Sequence, residues 1–151
     1  NREELIKSAQ TLLVPSPKAR QAFSNHREKM VGQVNQQMSS RKDIEEIVGS
    51  AGVRMSEDNN HNFSLFMESL LNFFRPEVLV DTVLWVFRTY RAHGFHTSYW
   101  PANLSTWKEV LEKNLPDEAL MEILPFYTWL INHIPVFAEM TDYINEKAAQ
   151  E

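Results

Sequence analysis

This chain of 151 residues has no cysteine, and only four glycines against seven prolines. Without cysteine there are no disulfides, iron–sulfur clusters, thiolate zinc sites or thioether-linked pigments. Scarce glycine and few alternating β-branched runs leave little material for hairpins, which predicts an all-α domain. No run of about 18 apolar residues is present that could span a bilayer, and there is no signal-peptide pattern. Positive excess is missing too: the formal charge is −5, against the basic face that a large nucleic-acid footprint needs. There is no Gly-x-Ser-x-Gly turn, glycine-rich phosphate loop or His-Glu-x-x-His pair. The expectation is a cytoplasmic, non-enzymatic protein that binds neither nucleic acid nor metal. The chain opens at Asn1 and ends on the polar run NEKAAQE, which reads as a piece of something longer.

What is present suits a packed core. Hydrophobic residues make up 43% and charged residues 23%, enough for one domain over residues 1–151. Residues 1–15 form an N-terminal helical extension, with Leu5, Ile6, Ala9, Leu12 and Leu13 on a stripe that docks onto a partner surface. Ser16 caps a second helix that begins at Pro17 and runs toward Met38. Gly32 in it offers close approach to another helix, and His26 reads as a solvated surface residue. Ser40 and Asp43 start a short segment that stops at GSAG.

The next helix is expected from Ser56, with Glu57 and Asp58 at the positive end of its dipole. Phe63, Phe66, Met67, Leu70 and Phe74 follow at i, i+3, i+4, i+7 and i+11, an apolar stripe that reads as core or as a ligand-facing wall. Arg75-Pro76 breaks that helix. The one after it is apolar over more than half its circumference (Leu79, Val80, Val83, Leu84, Val86, Phe87, Tyr90), which predicts a central position covered on two sides. A break at Leu115-Pro116 precedes a last long helix that contains Pro125 and Pro135 and is expected to bend at each.

Leu84 to Trp107 concentrates two histidines, two tyrosines, three tryptophans and two arginines in 24 residues. Function is expected near this turn. Arg88 and Arg91 read either as solvated charges or as a clamp for an anionic headgroup. His93 and His96 straddle Gly94 and lack a third metal ligand, so one of them is expected to cap the preceding helix. His133 reads as a hydrogen-bonded core or interface residue, and Trp85, Trp100, Trp107 and Trp129 as packing mass.

The order of these segments, with His61 near a helix start, then YRAHGF, TSYW and PFYTWL, resembles the globin superfamily over roughly Ser56 to Phe137. In haem-binding bacterial globins a histidine typically stands four residues before a glycine–apolar pair and ten before an aromatic. Here the pair is Gly94-Phe95, the aromatic is Trp100, and the histidine's position holds Tyr90. Tyrosine binds haem iron only as a phenolate, so the chain is more similar to the non-haem sensor globins of stressosome and sporulation systems. That resemblance implies a globin-like bundle of six to seven helices and a pocket for a small apolar ligand, possibly a fatty acid. It also implies a homodimer that signals to a partner or an attached output domain. The pocket is expected to be lined by Tyr90, His61, Phe66, Met67, Leu70, Val86, Arg88, Arg91, His93 and Trp107. No cofactor is expected. Two alternatives stand beside this reading: a haem globin with unusual ligation, and a protein-interaction module with no small ligand.

Overall fold

The computed structural model describes residues 1–142, so the closing run NEKAAQE lies outside the described residues. Among these there are seven α-helices and no strand. They are α1 (Arg2–Ala9), α2 (Pro17–Ser39), α3 (Ile44–Val48), α4 (Val53–Asn72), α5 (Pro76–Ala92), α6 (Tyr99–Asn114) and α7 (Asp117–Met140), with a 3₁₀ turn over Gly49–Ala51. The all-helical bundle expected from the shortage of glycine and alternating strands is what forms.

The local signals act as elementary chemistry requires. The Ser16 hydroxyl accepts from the Ala19 amide at 3.2 Å, and Pro17 opens α2 where its missing N–H costs nothing. The Ser16 amide and hydroxyl both donate to Glu122 on α7, at 2.8 and 2.9 Å, tying the start of α2 to that helix. Helix α4 starts three residues before the expected Ser56. Gly52, at φ +81°, turns the chain so sharply that the helix begins at once with Val53. Glu57 and Asp58 therefore fall outside the first turn, and Ser56 is buried instead of capping. At its other end α4 stops at Asn72, so Phe74 packs from the link, edge-on to Phe126 with ring centroids 5.3 Å apart.

Helix α2 is the central element, packed against α4, α6 and α7. Helix α5, expected at the centre, forms an outer layer: it packs against α1 and α7 and leaves Trp85 59% exposed. Its wide apolar face is used, but one side of it lies under the short α1. Leu5 and Ala9 of α1 are buried, and Arg2 grips Asp81 of α5 through two hydrogen bonds of 2.7 and 3.0 Å. Gly32 meets no neighbour within 4 Å of the place where a Cβ would stand, so it permits no close helix contact. The close approach is elsewhere. Gly49 (φ +60°) lies against the Gly94 carbonyl, and a Cβ on Gly49 would collide with it. The His96 amide donates to the Ile47 carbonyl at 2.9 Å and the Ser50 hydroxyl to the His93 carbonyl at 3.2 Å. These contacts clamp the α5–α6 turn to the end of α3.

Candidate functional site

Helices α4 and α5 follow each other in the chain but do not pack closely along their lengths. A cavity fills the gap. Phe63 and Phe66 of α4 and Thr82 and Val86 of α5, all half-buried, stand at its mouth, while α6 and α7 contribute Trp100, Asn103, Leu104, Leu130 and Phe137. Its water-sized space is about 40 Å³, room for about three waters where one needs roughly 10–15 Å³. Pockets for drug-sized ligands run to about 300–1,000 Å³, so a long ligand enters only if α4 and α5 part.

Beside the cavity runs a buried polar network, unusual in a core this apolar. Asn60 of α4 is its hub. Its Nδ2 donates to Asn35 Oδ1 at 2.9 Å, while its Oδ1 accepts from Asn103 Nδ2 at 2.8 Å and from Trp107 Nε1 at 3.0 Å. One turn earlier the Tyr99 hydroxyl pairs with Ser56 Oγ at 2.9 Å and accepts from Asn59 Nδ2 at 3.2 Å. Burial pushes the Tyr99 phenol up to about 12, against the pull of those two partners. Among the described residues, three buried polar atoms have no partner: Trp100 Nε1, Asn103 Oδ1 and the Tyr127 hydroxyl. Tyr127 sits edge-on to Phe63 at 5.9 Å and beside Trp107, and burial alone drives its phenol upward.

Of the residues expected at the site, Phe66 and Val86 line the cavity. Met67, Leu70 and Trp107 are buried core, and His61 is exposed and does not line the cavity. Arg88 is exposed. Arg91 departs most from expectation. It is 5% exposed, and its guanidinium donates to the Ala138 carbonyl and the Thr141 hydroxyl at 2.8 Å each and to the Asp142 carboxylate at 3.0 Å. Those groups close the end of α7, where orphan carbonyls and the helix dipole attract a cation. Three of the guanidinium's five N–H donors are thereby committed to the end of α7. His93 Nδ1 lies 2.7 Å from the Thr89 carbonyl and so caps α5 as one of the turn histidines was expected to. His133 is half-buried between Ser8 Oγ at 3.2 Å and the Trp129 carbonyl at 2.6 Å, stacked on the Trp129 ring. His26, expected on the surface, is half-buried with Nδ1 2.8 Å from the Ala22 carbonyl.

Tyr90 is buried against Phe95 and Trp100, with centroids 5.1 and 6.1 Å away, and burial with the nearby Asp58 charge raises its phenol. Iron would need its phenolate, the form this environment disfavours. Beside Tyr90, Phe87 stacks on Trp100 with ring centroids 4.4 Å apart. The residues around Tyr90 do not fit a haem. Among the described residues, no three His, Asp or Glu side chains are grouped to hold a metal, and no helix is long and apolar enough to cross a membrane.

Sequence reasoning missed Asn59, Asn60 and Asn103. A signal existed: Asn60 stands three and seven residues before Phe63 and Met67, and Asn103 four before Trp107, so each interrupts an apolar stripe with an uncharged polar group. Comparison with family models, with curated proteins and with solved structures finds no match to this chain.

Proposed function

We propose that this chain is a globin-like, non-haem sensory domain in which a small apolar ligand enters between α4 and α5 and changes how they pack. The observation that carries the reading is the apolar cavity in the gap between two consecutive helices that hold each other only loosely. A ligand larger than the 40 Å³ of space binds an opened arrangement better than this one. Only such differential affinity can switch anything. In this reading α5 moves, with α1 strapped across it by Arg2 and Asp81, and the change is read at a helical dimer surface by a signalling partner or attached module. The globin-like assignment rests on the order and spacing of Tyr90, Gly94-Phe95 and Trp100.

Native mass spectrometry with an absorption spectrum tests it. The expected result is a colourless dimer with extra mass of lipid or smaller size, lost in Val86→Trp, which fills the cavity mouth. A Soret band would replace this reading with a haem globin. An unladen chain whose partner binding survives Val86→Trp would favour the interaction module. That second reading has its own support in Leu13, Val14 and Met121, which are exposed and border one surface groove.

A further inference from the structure

Helix α5 has one side that no other described helix covers. Val78, Asp81, Trp85, Arg88 and Ala92 are exposed there, and they follow one another at alternating steps of three and four residues, the spacing that keeps a face turned toward a partner helix. Trp85 stands apart from the other tryptophans, because Trp100, Trp107 and Trp129 are all buried. On one flank of Trp85 lie two charges of opposite sign, Asp81 and Arg88. On the other lie Thr82 and Thr89, both half-buried. Arg2 grips Asp81 through two hydrogen bonds, yet the Asp81 side chain is still 52% exposed. A carboxylate has about four acceptor positions, so Asp81 has room for a second cation. Among the described residues no ion pair includes Arg88.

We infer that this face pairs with α5 of a second copy of the chain, antiparallel, about a two-fold axis at Trp85. The inference rests on the sensory reading above, since it names the dimer surface which that reading requires. Such an axis sets opposite each other residues that are equally far from Trp85 in sequence, and it turns each flank toward the same flank of the other copy. Val78 then meets the partner's Ala92, and Thr82 lies beside the partner's Thr89. Asp81 lies beside the partner's Arg88, and at 1.5 Å of rise per residue the two differ in height by only about 1.5 Å. Each contact occurs twice, so the two charges on one copy are answered by opposite charges on the other. A parallel pairing would leave Asp81 and the partner's Arg88 seven residues, about 10 Å, apart along the axis. Rim ion pairs add little affinity and act mainly on register and partner choice. Affinity comes from the two tryptophans at the centre, where hot spots concentrate. One helix against one helix is a small interface, so the dimer is expected to be weak, with a dissociation constant of about 1 μM or above. The groove beside Leu13 and Met121 offers no such complement, because its carboxylate, Glu122, is taken by Ser16. Thr82 belongs both to the cavity wall and to the pairing flank, so a ligand that parts α4 from α5 turns the pairing face with it.

Sedimentation equilibrium over a range of concentrations, with native mass spectra of the same samples, tests the pairing. The wild-type chain is expected to dimerise, and acrylamide quenching of its tryptophan emission to fall as concentration rises, since Trp85 alone passes from exposed to covered. Trp85→Ala is expected to raise the dissociation constant at least about thirtyfold, as loss of a hot spot does. Arg88→Glu, which sets two like charges opposite Asp81, should raise it about tenfold. Both positions are exposed, so both variants are expected to fold. The decisive sample is an equimolar mixture of Arg88→Glu with Asp81→Lys. In the mixed dimer both cross pairs regain opposite signs, so it should form more tightly than either variant with itself, which a merely structural role for these residues would not produce. Met121→Ser should leave the dimer unchanged. A wild-type monomer at every concentration, a dimer unweakened by Trp85→Ala, or a mixture with no preference for the mixed dimer would overturn the inference. Ligand mass is read separately in the same spectra. Extra mass on a chain that does not pair through α5 would leave the ligand pocket standing, whereas an α5 dimer with no extra mass on any species would sink the pocket and leave the pairing.

Discussion

Asn60 joins three helices through one amide, bonding to Asn35 on α2 and to Asn103 and Trp107 on α6. Asn60→Leu keeps the branched shape but strands the Trp107 indole and the Asn103 amide. With each of the two stranded donors costing about 1–3 kcal/mol, the urea midpoint is expected to fall by the equivalent of about 2–6 kcal/mol. Tyr127→Phe is expected to do the opposite. Its hydroxyl is buried with no partner, so removing it leaves the midpoint unchanged or raises it, with the ring still packed on Phe63 and Trp107. At this scale the sequence was legible where side chains act on their own helix, as with Ser16 on α2 and His93 on α5. It was illegible where the partner is distant. Nothing in the string YRAHGF tells that Arg91 meets residues 47 to 51 positions later, or that Ser56 answers a tyrosine 43 residues on.

The seven helices were legible because proline, glycine and apolar period 3.6 punctuate the chain at nearly every boundary. The start of α4 slipped because Gly52 was read as ending one helix when it also launches the next. The position of α5 was misjudged for a different reason. A helix apolar over more than half its circumference announces that it is covered but not by what, and here a helix of eight residues, α1, serves as part of the cover. Helix α5 is held by α1 and α7 alone among close neighbours, so its backbone amides are expected to exchange with solvent faster than those of α2, as hydrogen-exchange mass spectrometry would show. The clamp between the α3 end and the α5–α6 turn sets the second element-level expectation. Gly49→Ala places a methyl on the Gly94 carbonyl and an L-residue at φ +60°. It should cost at least about 1–3 kcal/mol, seen in thermal unfolding, whereas Gly32→Ala in open space on α2 should be neutral or stabilising.

For the molecule as a whole, the buried phenols set its response to alkali. Tyr99 keeps its proton to about pH 12 in the fold, against 10 when free. Between those values the unfolded chain releases a proton that the folded chain retains, so stability is complete below pH 10 and declines as pH rises toward 12. Tyr90 and Tyr127 are shifted in the same direction. Urea titrations at stepwise alkaline pH are expected to show this decline, and Tyr99→Phe should flatten it.

The strap that α1 lays across α5 also imposes an order in time. Ser8 meets His133 and Trp129, 125 and 121 positions further along. At a translation rate of about 5–20 residues per second the first described helix waits about 6–25 s for those partners to be made. Until then Leu5 and Ala9, buried in the finished fold, have at most α5 to bury against. The first described helix is thus among the last of the described helices to be fully seated, and a ribosome-associated chaperone has a long opportunity there.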